Sequence, residues 1–406
     1  MSPTTRDPHR VPVDHSLLII AGGVAGAIHV AKIAPAVPAL RDALDLSLVQ
    51  AGFLISMVQF AAMVLGLVVG LVSDRLGLRR VMVGGLTLVT LAGLAGGFST
   101  DPRMLLLLRA LEGLGFLMAV TPGPSLIRRG AAAPSLQARL GQWGAYMPLG
   151  SAMALLSGPL WIAAMGWSSW WWLTAIPSGV LALALWRSLP ADPRSGIDAP
   201  RVSIASLLRQ TLRAPGPWLV AMAFGVYSFQ WLAVVGFLPS IYLQAGLSPL
   251  MTGAATAVAS GANILGNVAA GRLLQRGVPP QRLLQTGYLT MGSCSVLMFA
   301  PLWPAGTWSA LGPFLAVVMF SAVGGLVPGT LFSQAVRLAP GPSTVSTTIG
   351  WLLQWSSVGQ FFGPPLVAAV AARVGNWSFS WMVMCACGSI GLVLSWAIGR
   401  ARSGQA

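Results

Sequence analysis

The chain has 406 residues, 55% hydrophobic and only 8% charged, where a soluble protein carries roughly 25% charge. Too little polar surface is available to coat a globule in water, so the bilayer is the solvent this composition fits. The formal net charge of +15 does not mark a nucleic-acid binder, because the arginines lie in short clusters between apolar stretches rather than along one face with stacking aromatics.

A membrane-spanning helix needs about 20 apolar residues. Twelve such stretches follow one another, at 16–38, 48–72, 81–98, 104–127, 139–164, 168–187, 217–243, 249–273, 283–301, 309–336, 346–372 and 377–399. All are far too long for barrel strands. The expected fold is an all-α membrane protein of twelve transmembrane helices. An even count puts both termini on one face. That face holds 19 of the 24 basic residues, against Arg41, Arg103 and Arg373 on the other and Lys32 and Arg109 within spans. The excess of positive charge predicts cytoplasmic termini and a multi-pass protein of the bacterial inner membrane.

Span one is longer than the apolar core of a signal peptide, so it reads as a retained helix. It carries His29 and Lys32. Between spans two and three runs GLVSDRLGLRR, from Gly70 to Arg80. There the arginines hold the loop in the cytosol, and Asp74 can pair with them or face the N-terminus of another helix. Span four holds Arg109 and Glu112, and span five Trp143 and Tyr146. A polar, proline-containing segment at 188–215 then divides the spans six and six, with a short surface helix expected at Ile204–Leu212. The expected domains are an N-terminal six-helix bundle at 1–187, a cytoplasmic linker at 188–215 and a C-terminal six-helix bundle at 216–406. In the second half no charge lies at mid-span. Its polar and aromatic candidates are Tyr227, Gln230 and Trp231 in span seven, Asn263 and Asn267 in span eight, and Gln354 and Trp355 in span eleven.

The two halves repeat. At an offset of 201, Pro38 meets Pro239, Ser47 meets Ser248, Gly52 meets Gly253, Gly70 meets Gly271 and Arg75 meets Arg276. Further on the offset drifts, and Pro122-Gly123 pairs with Pro328-Gly329. Two pseudo-symmetric bundles can rock about a site at their interface.

The string Gly70 to Arg80 resembles the signature loop of the major facilitator superfamily, with Gly70, Asp74, Arg75, Gly77 and Arg79 in its pattern. A weaker copy, Gly271 to Arg276, stands where the second copy belongs, with Gln275 in place of the acid. Arg109 in RALEGLG looks like the family's arginine motif of span four. The resemblance implies a transporter working by alternating access, with Asp74, Arg75, Gly70 and Gly77 as a conformational latch and a central cavity lined mainly by spans one, four, seven and ten. More narrowly, EGLGFL at 112–117, PSLI at 124–127 and WGAYMPLG at 143–150 are similar to the cyanate and nitroimidazole transporter-like branch. Gly158-Pro159 lacks the glycine pair that would complete a drug-antiporter string in span five.

Four ionisable groups sit inside spans: His29, Lys32, Arg109 and Glu112. Lys32 is the single lysine of the chain and Glu112 its single glutamate. Each charge at mid-membrane costs roughly 2.5–3.5 kcal/mol on insertion scales, an expense associated with function. His29 and Lys32 are three residues apart, as are Arg109 and Glu112, so each pair shares a helix face. At a rise of about 1.5 Å per residue the four fall within a band of roughly 10 Å. Arg109 and Glu112 can neutralise each other, leaving Lys32 without a fixed partner on the cavity wall. That charge count favours a small anionic substrate. Lys32, Arg109, His29, Tyr227, Gln230 and Tyr146 are therefore the candidate substrate-binding residues. Glu112 and His29 are the candidates for coupling transport to protons. The opposing reading has Lys32 extending outward to headgroups and Arg109–Glu112 as a structural pair. An exporter of the same fold is the alternative to proton-coupled uptake. The chain has no set of nucleophile and base at one depth, and Cys385-x-Cys387 has no metal-ligand partners, so neither an enzyme, a metal nor a cofactor is expected. A monomer is expected.

Overall fold

The computed structural model describes residues 15–130, 139, 142–143, 146–192, 203–303, 307–341 and 344–403, and every regular element among them is a helix. Span one comprises Ser16–Ala31 and Ile33–Leu44; span two Leu48–Ser56, a 3-10 turn at Met57–Gln59 and Phe60–Leu76; span three Leu78–Gly97; and span four Pro102–Val120 and Gly123–Gly130. Spans five and six run through Tyr146–Ser188, parted at Gly166 (φ 81°). The second half has span seven at Pro215–Gln244, span eight at Pro249–Gly261 and Asn263–Gln275, and span nine at Pro280–Phe299. Span ten is Thr307–Gly324 and Leu326–Arg337, span eleven Val345–Val374 and span twelve Ser380–Ser403. Among the described residues, eight helical stretches, with Tyr146–Ser188 taken as one, are apolar and long enough by themselves to cross a membrane. A short amphipathic helix at Ile204–Arg213 precedes span seven, one residue longer than expected.

Several spans are broken near their middles, which the hydropathy pattern did not foretell. In span one the break falls at Lys32. Pro35 has no N–H for the Ala31 carbonyl four residues earlier, and its ring crowds that carbonyl. In span ten the break at Gly325 stands in the same relation to Pro328.

The internal repeat is visible in backbone geometry. Ser47 opens span two at φ −62°, ψ 158°, and Ser248 opens span eight at φ −62°, ψ 157°. Each hydroxyl accepts a backbone N–H of the first turn, from Gln50 at 3.2 Å and from Met251 at 3.3 Å. These caps satisfy donors that the helix itself leaves unpaired.

The two halves meet where span two lies against span eleven, span five against span eight and span one against span seven. Gly52 permits a close approach of span two to span eleven: a Cβ there would come within 2.8 Å of the Pro365 Cα. Further along the same seam, the Gln354 side chain donates to the Met63 carbonyl at 2.8 Å and accepts the Leu67 N–H at 3.4 Å. Gln354 thus bridges a donor and an acceptor one helical turn apart on span two, instead of standing as a free polar group at mid-span. The Ser357 hydroxyl donates to Gln59 at 3.4 Å, and Phe361 packs against Phe53 and Phe60. Span eight touches span five through its first helix, while Ile264, Leu265 and Val268 of its second helix are exposed.

Candidate functional site

His29, Lys32, Arg109 and Glu112 form one buried cluster, each fully enclosed. Their separation along the helices puts them at one depth, and the break at Lys32 brings two helix ends to that depth. Glu112 is the hub. One carboxylate oxygen accepts from Lys32 Nζ at 2.5 Å, the other from Arg109 Nη1 at 2.5 Å, and His29 Nδ1 lies 3.1 Å from the first. Arg109 also donates to the His29 carbonyl at 2.7 Å and reaches the Leu54 carbonyl of span two at 3.4 Å. Its Nη2 is buried with no hydrogen-bond partner among the described residues.

Span six supplies residues that the sequence reading did not pick out. His29 Nε2 lies 3.0 Å from the Thr174 carbonyl and 3.1 Å from the Ser178 hydroxyl. The Trp170 indole donates to the Lys32 carbonyl at 3.0 Å, and Lys32 Nζ sits 4.6 Å from the ring centre of Trp171. Such a cation over an aromatic face is favourable, the more so out of water. Span three closes the remaining side: a Cβ on Gly93 would lie 3.0 Å from His29 Cε1 and 3.2 Å from Glu112 Oε1. The signal for these residues was the tryptophan run at 170–172, followed by Thr174 and Ser178 four residues apart.

Two expectations are corrected. Lys32 does not stand without a partner; it shares Glu112 with Arg109. Nor do the four side chains line a cavity wall in this conformation. They point into the first half, among spans one, two, three, four and six. The expected Arg109–Glu112 pair is present. Two cations against one carboxylate leave the cluster a formal charge of +1 with neutral His29. The Thr174 carbonyl can only accept, so it calls for a hydrogen on His29 Nε2. Nδ1 is then free to accept from Lys32 at 3.1 Å, or to donate to Glu112 if it too carries a proton.

The other candidates lie elsewhere. Tyr146 packs at a tilt against Trp143 with ring centres 4.8 Å apart and lies beside Val30, Val58 and Phe116, apart from the charges. Tyr227 accepts from Asn263 Nδ2 at 2.8 Å, and the same nitrogen donates to the Ser321 carbonyl at 2.9 Å. Asn267 continues the chain to Asn263, so spans seven, eight and ten share a neutral polar network at the break in span eight. Gln230, at the repeat position of His29, is likewise fully buried. Its amide reaches only its own helix, at the Val226 carbonyl, and its Oε1 has no partner among the described residues. Trp355 belongs to an aromatic group with Trp218 and Trp351.

Of the loop residues, Gly70, Asp74 and Arg75 fall in the helix Phe60–Leu76, but the side chains of Asp74 and Arg75 lie outside the described residues. Gly77 turns the chain at φ 99°, a conformation glycine adopts readily. Asp192, just beyond span six, accepts the N–H groups of Arg79 and Arg80, both at 3.1 Å. It thereby caps span three, and it also lies 3.7 Å from Arg129 of span four.

The Major Facilitator Superfamily model matches residues 17–364 of this sequence. The chain belongs to that family. It is a membrane transporter and not an enzyme, and its twelve helices form the family's two pseudo-symmetric six-helix bundles. This facilitator is 28% identical to the 2-nitroimidazole transporter of Escherichia coli (strain K12) over 85% of each chain. To the 3-(3-hydroxy-phenyl)propionate transporter of the same organism it is 26% identical over 77% of each. Its fold is similar to a bacterial homologue of the human lysosomal transporter Spinster in an inward-facing, occupied conformation, with a TM-score of 0.78, 17% identity and 98% of each chain covered.

Proposed function

We propose that this facilitator takes up a small, planar organic anion together with a proton. The observation that carries the reading is the buried cluster, in which two cations share one carboxylate. Glu112 is an internal anion held by Lys32 and Arg109. When Glu112 takes a proton, the cation pair loses its counter-charge and can hold a substrate carboxylate in its place. His29, beside Glu112 and facing Ser178, is placed to pass that proton. A proton and a carboxylate would then cross together, without net charge. Substrate reaches the pair when the first bundle loosens around spans one and four. Tyr227 and Gln230 complete the recognition from the second bundle, and Tyr146 borders the path. The relatives that transport a nitroimidazole and a hydroxyphenyl propionate support a flat, mostly unsaturated substrate.

In this reading residues 1–187 and 216–406 are the rocking units, the arginine-rich face is cytoplasmic, a monomer suffices, and the loop from Gly70 to Gly77 steadies one conformation through Asp74 and Arg75. Uptake of labelled benzoate and of 2-nitroimidazole into proteoliposomes tests it. An inward proton gradient should accelerate benzoate uptake, and Lys32→Met and Arg109→Gln should each reduce it at least about tenfold, the size of one charge-assisted contact. Benzoate uptake indifferent to the gradient and to both substitutions would overturn the proposal. Outward movement under the same gradient would mark an exporter instead.

A further inference from the structure

On the outer face of the first bundle, spans three and six leave a groove of about 260 Å³. Val83, Thr87 and Leu91 line it from span three, and Gly179, Leu183 and Trp186 from span six. From residue 83 to residue 91 it runs about 12 Å at 1.5 Å per residue. One leaflet of hydrocarbon is about 15 Å deep, so the groove spans most of a single leaflet.

The two stripes that form the groove both end in arginine at the face bearing the chain termini. Arg80 lies three residues before Val83 and seven before Thr87, on the same side of span three. Arg187 lies four residues after Leu183, on the same side of span six. Both are exposed. Between them Arg79 packs over the Trp186 ring at 4.2 Å and donates to the Trp186 carbonyl. Trp186 is therefore fixed where the apolar slot meets the charged rim, a depth that tryptophan favours in membranes. The nearby Asp192 is engaged by the Arg79 and Arg80 N–H groups, and it forms no ion pair with the Arg80 or Arg187 side chain among the described residues.

We propose that this groove is a binding site for an anionic phospholipid of the leaflet on the terminal side. One acyl chain lies along Val83, Thr87 and Leu91, and the phosphate meets Arg80 and Arg187. Charge complementarity decides the occupant: a zwitterionic lipid fills the slot equally well but returns less to a cationic rim. Nothing in this inference depends on the transported substrate.

The test is thermal unfolding of the full-length protein in detergent, titrated with phosphatidylglycerol or phosphatidylcholine. Phosphatidylglycerol should raise the midpoint saturably, as a ligand of the folded state does, and phosphatidylcholine should raise it less. Arg80→Gln with Arg187→Gln should weaken the phosphatidylglycerol effect by roughly thirtyfold in apparent affinity, two arginines at a membrane surface being worth about that. Thr87→Trp, an exposed position that fills the slot, should abolish it with the arginines intact. Arg213→Gln with Arg337→Gln, exposed at the same face away from the groove, serves as the charge-matched control. Equal midpoint shifts with the two lipids, an unchanged response in the groove variants, or an equal loss in the control pair would each overturn the proposal.

Discussion

At the scale of residues, one glutamate sets the balance of the buried cluster, and the two ways of unbalancing it are not equivalent. Glu112→Gln leaves Lys32 and Arg109 facing each other with no counter-charge. Breaking a buried pair in this way costs about 3–5 kcal/mol. Lys32→Met instead leaves the neutral Arg109–Glu112 pair intact, and an unbranched apolar chain fills the lysine's place over Trp171. We expect thermal unfolding in detergent to show Glu112→Gln as much the less stable protein, and Glu112→Gln with Lys32→Met as only partly rescued, because one repelling cation is gone but Arg109 still lacks a counter-charge. Equal destabilisation by both single changes would mean that Glu112 does not hold both cations. Sequence alone made the four residues and their common depth legible, since spacing and rise fix both. Rotation about the helix axis was not legible. The turning of His29 and Lys32 toward spans three and six depends on Gly93 leaving room and on Trp170, Trp171, Thr174 and Ser178 offering partners. A run of tryptophans reads just as well as an interfacial belt.

At the scale of elements, the loop before span three is tied down by a residue far away in sequence. Asp192 accepts two N–H groups at the start of that helix, beside a glycine whose missing Cβ leaves space for its carboxylate. Asp192→Ala should therefore cost about 0.5–2 kcal/mol, as loss of an N-cap does, and Gly77→Ala should be harmful as well because of its positive φ. Hydrogen exchange at Arg79 and Arg80 is the sensitive measure, and protection unchanged by Asp192→Ala would exclude the cap. The spans themselves were readable from hydropathy, and the match of Ser47 with Ser248 from the repeat; that both serines cap helices came only with the structure. Asp192 was not readable, because one of two acids in a proline-containing linker has no periodicity to reveal its partner. The break at Lys32 was signalled by Pro35, but within an apolar run proline is common enough in membrane helices to pass unnoticed.

At the scale of the whole molecule, the halves are joined along seams that alternating access must open. Gly236 of span seven faces Ile55 of span two, where a Cβ would lie 3.0 Å from Ile55 Cγ2, close enough for a disulfide between engineered cysteines. With Cys294, Cys385 and Cys387 replaced by serine, oxidised Ile55→Cys, Gly236→Cys protein should lose transport and regain it on reduction. Full turnover of the cross-linked form would show that this seam stays closed throughout the cycle.

The way Gln354 grips span two bears on how such a seam can part inside a bilayer. An exposed backbone donor or acceptor in hydrocarbon is costly. The two groups Gln354 holds, the carbonyl of Met63 and the N–H of Leu67, are the natural partners of each other in an unperturbed α-helix. When the glutamine withdraws, the two groups still have each other within the helix Phe60–Leu76, and span two strands nothing. The amide that leaves is on a side chain, free to swing toward water. The fastening can thus be undone and remade without either helix ever holding an orphaned peptide group.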